Sequence, residues 1–184
     1  MPLHVSEVVS ELIHHPIRRL VRQWNWKSAL LSPIARSALV FATNATAGSA
    51  NAANALMIEA LYRTVIAGFC GTIVEAFRSV DPYWAGQLTV LIAVPLVSDS
   101  VDVFIHWSLG TPQIGWTAAV SLCWTVVSTA FNYFAMRRGS LIVGDNRRSL
   151  FEDLLALPAL FVGFVVLALR HIRILLSGRN AATS

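Results

Sequence analysis

Apolar residues along the chain form one amphipathic segment followed by five long apolar runs. In residues 3–26 the apolar side chains recur every three or four positions, a spacing typical of a helix with one apolar face. The five runs lie near 28–47, 54–77, 85–107, 115–136 and 149–169. Each has close to the ~20 residues that a helix needs to cross a bilayer. The pattern predicts an all-α integral membrane bundle of about five transmembrane helices, preceded by an amphipathic interfacial helix.

The runs divide the chain into an interfacial helix at 1–27, a single transmembrane bundle at 28–175 and a disordered tail at 176–184. Pro16 should divide the interfacial helix, because proline lacks a backbone N–H and cannot continue the hydrogen-bond ladder. The first run contains Pro33, Arg36 and Asn44. Segment 28–47 therefore either spans the bilayer or is re-entrant.

The composition supports a membrane location and limits the partners. Hydrophobic residues make up 55% of the 184 residues and charged residues only 13%, whereas soluble domains carry about 25% charged residues. Basic side chains flank the apolar runs and form no patch interleaved with aromatic residues, so we expect no nucleic-acid partner. The expected partners are the lipid bilayer and either another membrane protein or a second copy of the chain. Cys70 and Cys123 lie inside apolar runs without the spacing of a metal site, and no motif identifies a cofactor.

The distribution of basic residues predicts the orientation. With five spans and an inner N-terminus, nine of the 14 basic residues lie on the inner side and three on the outer side. Cytoplasmic loops carry such an excess, so we expect a multi-pass protein of a bacterial inner membrane with a cytoplasmic N-terminus. The three outer residues, Arg170, Arg173 and Arg179, all follow the last run. Either this basic tail is tolerated outside, or one segment does not cross.

Ionisable and polar residues inside the runs follow helical spacing. Charged groups within a span are costly in hydrocarbon and usually face the interior of the bundle. In the second run, Glu59 and Arg63 lie four residues apart. In the third run, Asp99, Asp102 and His106 follow one another at steps of three and four residues. A polar stripe of hydroxyl and amide side chains comprises Ser121, Thr125, Ser128 and Asn132 in the fourth run, with Asn44 in the first. The spacing predicts that these groups form one polar interior.

Depth along two antiparallel spans pairs the charged groups. Arg63 and Asp99 both lie about 12–14 Å from the outer ends of their helices, at a rise of about 1.5 Å per residue. This matching depth predicts a structural ion pair between them. Glu59 and Asp102 lie nearer the outer face, and His106 lies nearer still. We expect a binding or proton-relay cluster in which Glu59 and Asp102 are acceptors and His106 exchanges protons.

Two short segments resemble a known family. The stretch "IEALYRTVIAGFCG" is similar to the Glu-Glu-x-x-x-Arg motif of the CAAX prenyl protease and bacteriocin-processing glutamate intramembrane proteases: Glu59 and Arg63 match, and Ile58 replaces the first Glu. "STAFN" is similar to the family's His-x-x-x-Asn motif, with Asn132 matching and Ser128 in the place of the His. The resemblance implies that a glutamate activates a water for peptide hydrolysis, with histidine assisting.

Three functions remain open on these residues. The first is a polar intramembrane site that binds or relays a proton, a small cation or a polar headgroup. The second is a membrane-embedded hydrolase in which Glu59 is the general base on a water that His106 and Asn132 orient. The third is a structural or assembly subunit, in which the ion pair fixes helix register and the polar stripe forms hydrogen bonds between helices.

Overall fold

The structure, a computed structural model, describes residues 3–34, 50–108, 114–144 and 147–181. Its α-helices are α1 (Val5–His14), α2 (Ala50–Phe77), α3 (Tyr83–Ser108), α4 (Ile114–Arg137) and α5 (Leu150–Ala181). A π-helical turn covers Ile17–Val21, and residues 26–34 are helical as well. The described ranges contain an isolated β-bridge between Leu3 and Val80 but no β-strand. The predicted all-α fold class is therefore confirmed.

The N-terminal helix is short and is followed by a change of helix type at Pro16. The backbone N–H of His4 donates a hydrogen bond to Glu7 Oε2 at 2.8 Å, which holds the first turn of α1. α1 ends at His14, and the π-helical turn follows instead of a continuous α-helix. Proline disrupts the α-helical ladder because it has no backbone N–H. An ion pair between Arg19 and Glu11 joins the π-helical turn to α1.

Helices α2, α3 and α4 pack against one another within the first of two compact units, Met1–Arg147. The most extensive packing joins α3 to α4, and α1 and the π-helical turn contact α2. The largest fully buried apolar side chains cluster where α2 ends, α3 begins and α4 ends, a region that we call the basal end. They are Val74, Val80, Tyr133, Met136 and Ile142, each at most 1% exposed, together with the fully buried Val90 two turns into α3.

Asn25 is the hydrogen-bond centre of the basal end and is fully buried. Its Nδ2 donates to Glu75 Oε2 at 2.7 Å and to the carbonyl oxygen of Leu141 at 2.9 Å. Its Oδ1 accepts from the backbone N–H of Ser28, and its own backbone N–H donates to Thr72 Oγ1, both at 2.9 Å. One residue thus joins the N-terminal segment, the last turns of α2 and the loop after α4.

Two glycines allow the segment after the π-helical turn to lie directly on α2. A Cβ atom at Gly68 would overlap the indole ring of Trp24, and a Cβ atom at Gly71 would overlap the side chain of Ser28. Glycine has no Cβ, so the two backbones approach more closely than any other residue would permit. This close contact brings Asn25 within reach of α2.

A second polar contact holds the α2–α3 connection against the end of α4. Arg137 Nη1 donates to the carbonyl oxygen of Val80 at 3.0 Å, and Tyr133 Oη donates to the carbonyl oxygen of Tyr83 at 3.2 Å. The guanidinium of Arg137 also lies 4.8 Å from the centre of the Tyr83 ring, a distance typical of a cation–π contact. Arg137 is therefore a packing residue of the basal end as well as a basic residue at a helix end.

α5 belongs to the second compact unit, Arg148–Ser184. Its start is a capping box, because Ser149 Oγ accepts from the backbone N–H of Glu152 at 3.2 Å and Glu152 Oε2 accepts from the backbone N–H of Ser149 at 2.7 Å. The helix continues to Ala181, through most of segment 176–184, where the sequence predicts a disordered tail. Leucine, arginine and alanine in its last turns are good helix formers.

Two of the described helices are long and apolar enough to cross a membrane, over Tyr83–Val101 in α3 and Leu150–Ile174 in α5. The predicted spans at 54–77 and 115–136 correspond to α2 and α4, and many side chains in the first half of α2 and the first turns of α4 lie outside the described part of the structure. Most of the predicted span at 28–47 lies outside the described residues. A bundle of five spans is therefore not confirmed.

The close contact between α2 and Ser28 gives a stability prediction. Gly71→Ala should lower the free energy of unfolding by about 2 kcal/mol, because overpacking outweighs the gain in helix propensity. Thermal or denaturant unfolding in detergent measures the change. Ser28→Gly removes the overlapping atoms, so it should recover at least ~1 kcal/mol of the loss in the double variant. Strict additivity of the two substitutions would contradict the contact.

Candidate functional site

A carboxylate–hydroxyl cluster joins α3 to α4. Asp99 Oδ1 accepts a hydrogen bond from Thr125 Oγ1 at 3.0 Å and lies 3.4 Å from Ser121 Oγ. Ser121 and Thr125 are buried and lie one turn apart on α4, while Asp99 is half-buried. The cluster is therefore a polar site within an otherwise apolar interface.

The hydroxyl of Thr125 has two acceptors within reach. Its oxygen lies 3.0 Å from Asp99 Oδ1 and 3.0 Å from the backbone carbonyl oxygen of Ser121. A hydroxyl carries a single hydrogen and can rotate to suit either partner. When Asp99 is protonated, the Thr125 hydrogen can turn to the Ser121 carbonyl, and when Asp99 is ionised it can return to the carboxylate. The cluster can thus satisfy both protonation states without moving a helix.

A cavity of about 60 Å³ adjoins this cluster between α2, α3 and α4. A cavity of this size has room for a few water molecules, provided that polar groups line it. Its polar lining residues are Ser32, Arg63, Cys70, Ser98, Thr125, Ser128, Thr129 and Asn132. Thr125 belongs both to this wall and to the Asp99 cluster. The shared residue connects the cavity to the carboxylate.

The predicted polar stripe of α4 converges on these two features. Thr125, Ser128 and Asn132 line the cavity, and Ser121 lies beside Asp99. Arg63 lines the cavity from α2. The structure therefore places Arg63 and Asp99 around the same polar region, and their direct pairing stays a prediction.

The predicted outer cluster is described only in its backbone. Glu59 lies in α2, one turn before Arg63, and Asp102 and His106 lie in α3 after Asp99. The side chains of these three residues lie outside the described part of the structure, and Asn44 lies outside it altogether. The roles assigned to them from the sequence stay predictions.

Several cavity residues were not singled out from the sequence. Cys70 follows Arg63 by two helical turns, so the same spacing that marked Arg63 could have indicated it. Ser98 and Ser32 carry no comparable signal, because single serines occur at many positions in this chain. Among the side chains that the structure describes, no group of three His, Cys, Asp or Glu residues is placed to hold a metal ion.

The hydrogen bond between Thr125 and Asp99 can be measured against a matched control. Thr89 Oγ1 also donates to a backbone carbonyl one turn earlier, that of Ala85 at 2.8 Å, but no carboxylate accepts from it among the described residues. Thr125→Val should therefore lower the free energy of unfolding by about 1–2 kcal/mol more than Thr89→Val. In an Asp99→Ala background, Thr125→Val and Thr89→Val should lower the free energy of unfolding by the same amount. Equal losses for the two substitutions in the wild-type background would contradict the hydrogen bond.

Comparison with known proteins assigns no family to this chain. No protein-family model matches it, and neither the curated proteins nor the solved structures contain a significant match. The similarity of Glu59, Arg63 and Asn132 to the glutamate intramembrane protease motifs therefore stays a prediction. The function has to be inferred from the chemistry of the site.

Proposed function

We propose that the chain is a multi-pass membrane protein that binds and relays a proton through the polar interior of its first unit. The observation that carries this proposal is the half-buried Asp99 carboxylate, which accepts a hydroxyl hydrogen bond beside a small polar cavity. Asp99 is the proton acceptor in this scheme. Thr125 reorients between the two protonation states, and Arg63 lies in the wall of the cavity that Thr125 shares.

Exposed apolar surface supports the membrane location. Leu88, Ile92 and Leu96 follow one another at one-turn intervals on α3 and are 52%, 60% and 67% exposed. The candidate span of α5 is only 6% buried. Apolar surfaces of this extent are unfavourable in water and suit contact with lipid. We propose that α2 and α4 cross the membrane with α3, and that the N-terminus lies in the cytoplasm of a bacterial inner membrane, as the basic residues predict.

The size and charge of the cavity favour a proton over a larger ligand. A volume of about 60 Å³ accommodates a few waters but no peptide or lipid headgroup. The guanidinium of Arg63 in its wall opposes the binding of a metal cation. Waters and hydroxyl groups can pass a proton between carboxylates that are too far apart for direct contact. Glu59, Asp102 and His106 would continue this path toward the outer face.

A hydrolase is the second candidate, because Arg63 and Asn132, which match the protease motifs, line the same cavity. In that scheme Glu59 would activate a water held in the cavity, and Asn132 would orient it. The small volume gives this candidate less support than the proton site. A structure that placed the Glu59 carboxylate away from the Asn132 side of the cavity would rule it out.

Proton flux in proteoliposomes tests the proposal. With a pH gradient and a pH-sensitive dye inside the vesicles, Asp99→Asn should slow dissipation by ~100-fold, because proton transfer loses its acceptor. Asp102→Asn should slow it as well, since Asp102 lies on the proposed path. Asp81→Asn is the matched control, because Asp81 is an exposed carboxylate in the α2–α3 connection, and it should leave the rate unchanged.

The alternative of a structural subunit makes a different prediction for the same variants. If Asp99 only fixes helix register, Asp99→Asn should change the unfolding transition without changing proton flux. Equal flux in wild-type and Asp99→Asn vesicles that contain the same amount of folded protein would contradict the proton proposal.

A further inference from the structure

A second cavity, much larger than the first, lies at the basal end. Its volume is about 380 Å³, and its wall combines α1, the π-helical turn, the end of α2 and the loop after α4. A pocket of this size is in the range that binds small molecules and cofactors. None of the proton-path residues lies in its wall.

Arginines dominate the chemistry of this basal pocket. Arg19, Arg22, Arg78 and Arg147 line it, against two acidic residues, Glu11 and Glu75. Arg19 and Arg22 lie in and just after the π-helical turn, Arg78 follows α2, and Arg147 follows α4. The fold brings these four charges around one space. The described lining therefore has an excess of positive charge.

Both acidic residues are already engaged in the wall. Glu11 forms the ion pair with Arg19, and Glu75 accepts from Asn25 Nδ2 at 2.7 Å and lies 3.3 Å from the backbone N–H of Val143. Glu75 offsets part of the charge of Arg78 and Arg147, but two carboxylates cannot balance four guanidinium groups. Within the described part of the chain, Arg22, Arg78 and Arg147 make no direct hydrogen bond or ion pair through their guanidinium groups, although Arg78 and Arg147 are close enough to Glu75 to interact electrostatically.

The electrostatics of Arg78 reflect the concentration of positive charge around the pocket. Burial lowers the pKa of Arg78, and the like charge of Arg147 lowers it further, while Glu75 opposes the shift. An arginine stays protonated at neutral pH even when its pKa is lowered. The two guanidinium groups therefore repel each other across the pocket, and a bound anion would relieve that repulsion.

We propose that the basal pocket binds a phosphate ester. Guanidinium groups bind phosphate oxygens through paired hydrogen bonds, and several arginines around one space are typical of phosphate recognition. The volume of about 380 Å³ exceeds what inorganic phosphate alone would fill, so the pocket suits a phosphate with an attached glycerol-sized group. Such a group is supplied by an anionic phospholipid headgroup or by a soluble phosphate ester. The proposal is independent of the proton path.

The apolar side of the pocket is also compatible with this ligand. Leu3, Val8 and Leu12 line it together with the arginines, and Leu12 and Val8 belong to the amphipathic helix α1. An amphipathic helix with basic residues suits the boundary between headgroups and acyl chains. The pocket therefore offers cationic groups for a phosphate and an apolar surface for what is attached to it.

Lipid binding by the full chain in a neutral detergent tests the proposal. Native mass spectrometry would compare retention of phosphatidylglycerol with that of diacylglycerol, which lacks the phosphate. Wild type should retain the phospholipid preferentially, and Arg147→Gln and Arg22→Gln should each weaken its binding ~10-fold through loss of a charge-assisted contact. Both residues are exposed, so neither substitution should prevent folding, and Arg147→Lys should restore only part of the affinity.

Arg18→Gln is the matched control, because Arg18 is an exposed arginine of the same π-helical turn but does not line the pocket. It should leave the affinity unchanged. Competition by glycerol phosphate at similar affinity would support a soluble phosphate ester as the ligand, and the absence of competition would support a lipid headgroup. A phospholipid that binds no better than diacylglycerol, or an Arg18→Gln variant weakened as much as Arg147→Gln, would overturn the proposal.

Discussion

The requirement that a buried amide must satisfy all of its hydrogen bonds organises the basal end of this protein. Asn25 is fully buried and meets that requirement only by contacting Glu75, Leu141 and Ser28 together. A buried polar group without partners costs about 1–3 kcal/mol, so partial versions of this arrangement are disfavoured. The hydrogen bonds of Asn25 hold the N-terminal segment on α2 and hold the loop after α4 in the interior. The walls of the basal pocket follow from this placement.

Helix α2 connects the two polar sites of the first unit. Arg63 and Cys70 lie in the wall of the interior cavity, and Thr72 and Glu75 lie in the wall of the basal pocket. The two sites differ in chemistry: the first is a small space with hydroxyl groups beside a carboxylate, and the second is a larger space surrounded by guanidinium groups.

The sequence predicted local features better than contacts between distant segments. Helical spacing predicted that Thr125, Ser128 and Asn132 share one face of α4, and all three line the interior cavity; such a prediction is possible because periodicity depends only on neighbouring residues. The hydrogen bonds of Asn25 could not be predicted, since its partner Leu141 lies more than a hundred residues away in the sequence. Leu141 lies in a loop and has a positive φ of 60°. No local pattern signals a contact of that kind.

The number of membrane spans shows a similar limit. Length and apolar character predicted five spans, and two described helices pass the test for crossing a membrane. α2 and α4 carry polar residues that line the interior cavity, and length and apolar character alone cannot separate a polar-lined span from a buried helix of a soluble protein. The basal pocket was not predicted because Arg22, Arg78 and Arg147 read as separate membrane-flanking charges until the fold brought them together.

Infrared difference spectroscopy of the Asp99 carboxyl group tests the central claim most directly. Protein in lipid would be acidified stepwise, and the carbonyl band of newly protonated carboxyl groups would be recorded. The account predicts a band that wild type and Asp81→Asn share and that Asp99→Asn lacks, because Asp99 takes up a proton in the interior. Identical difference spectra for wild type and Asp99→Asn would contradict it.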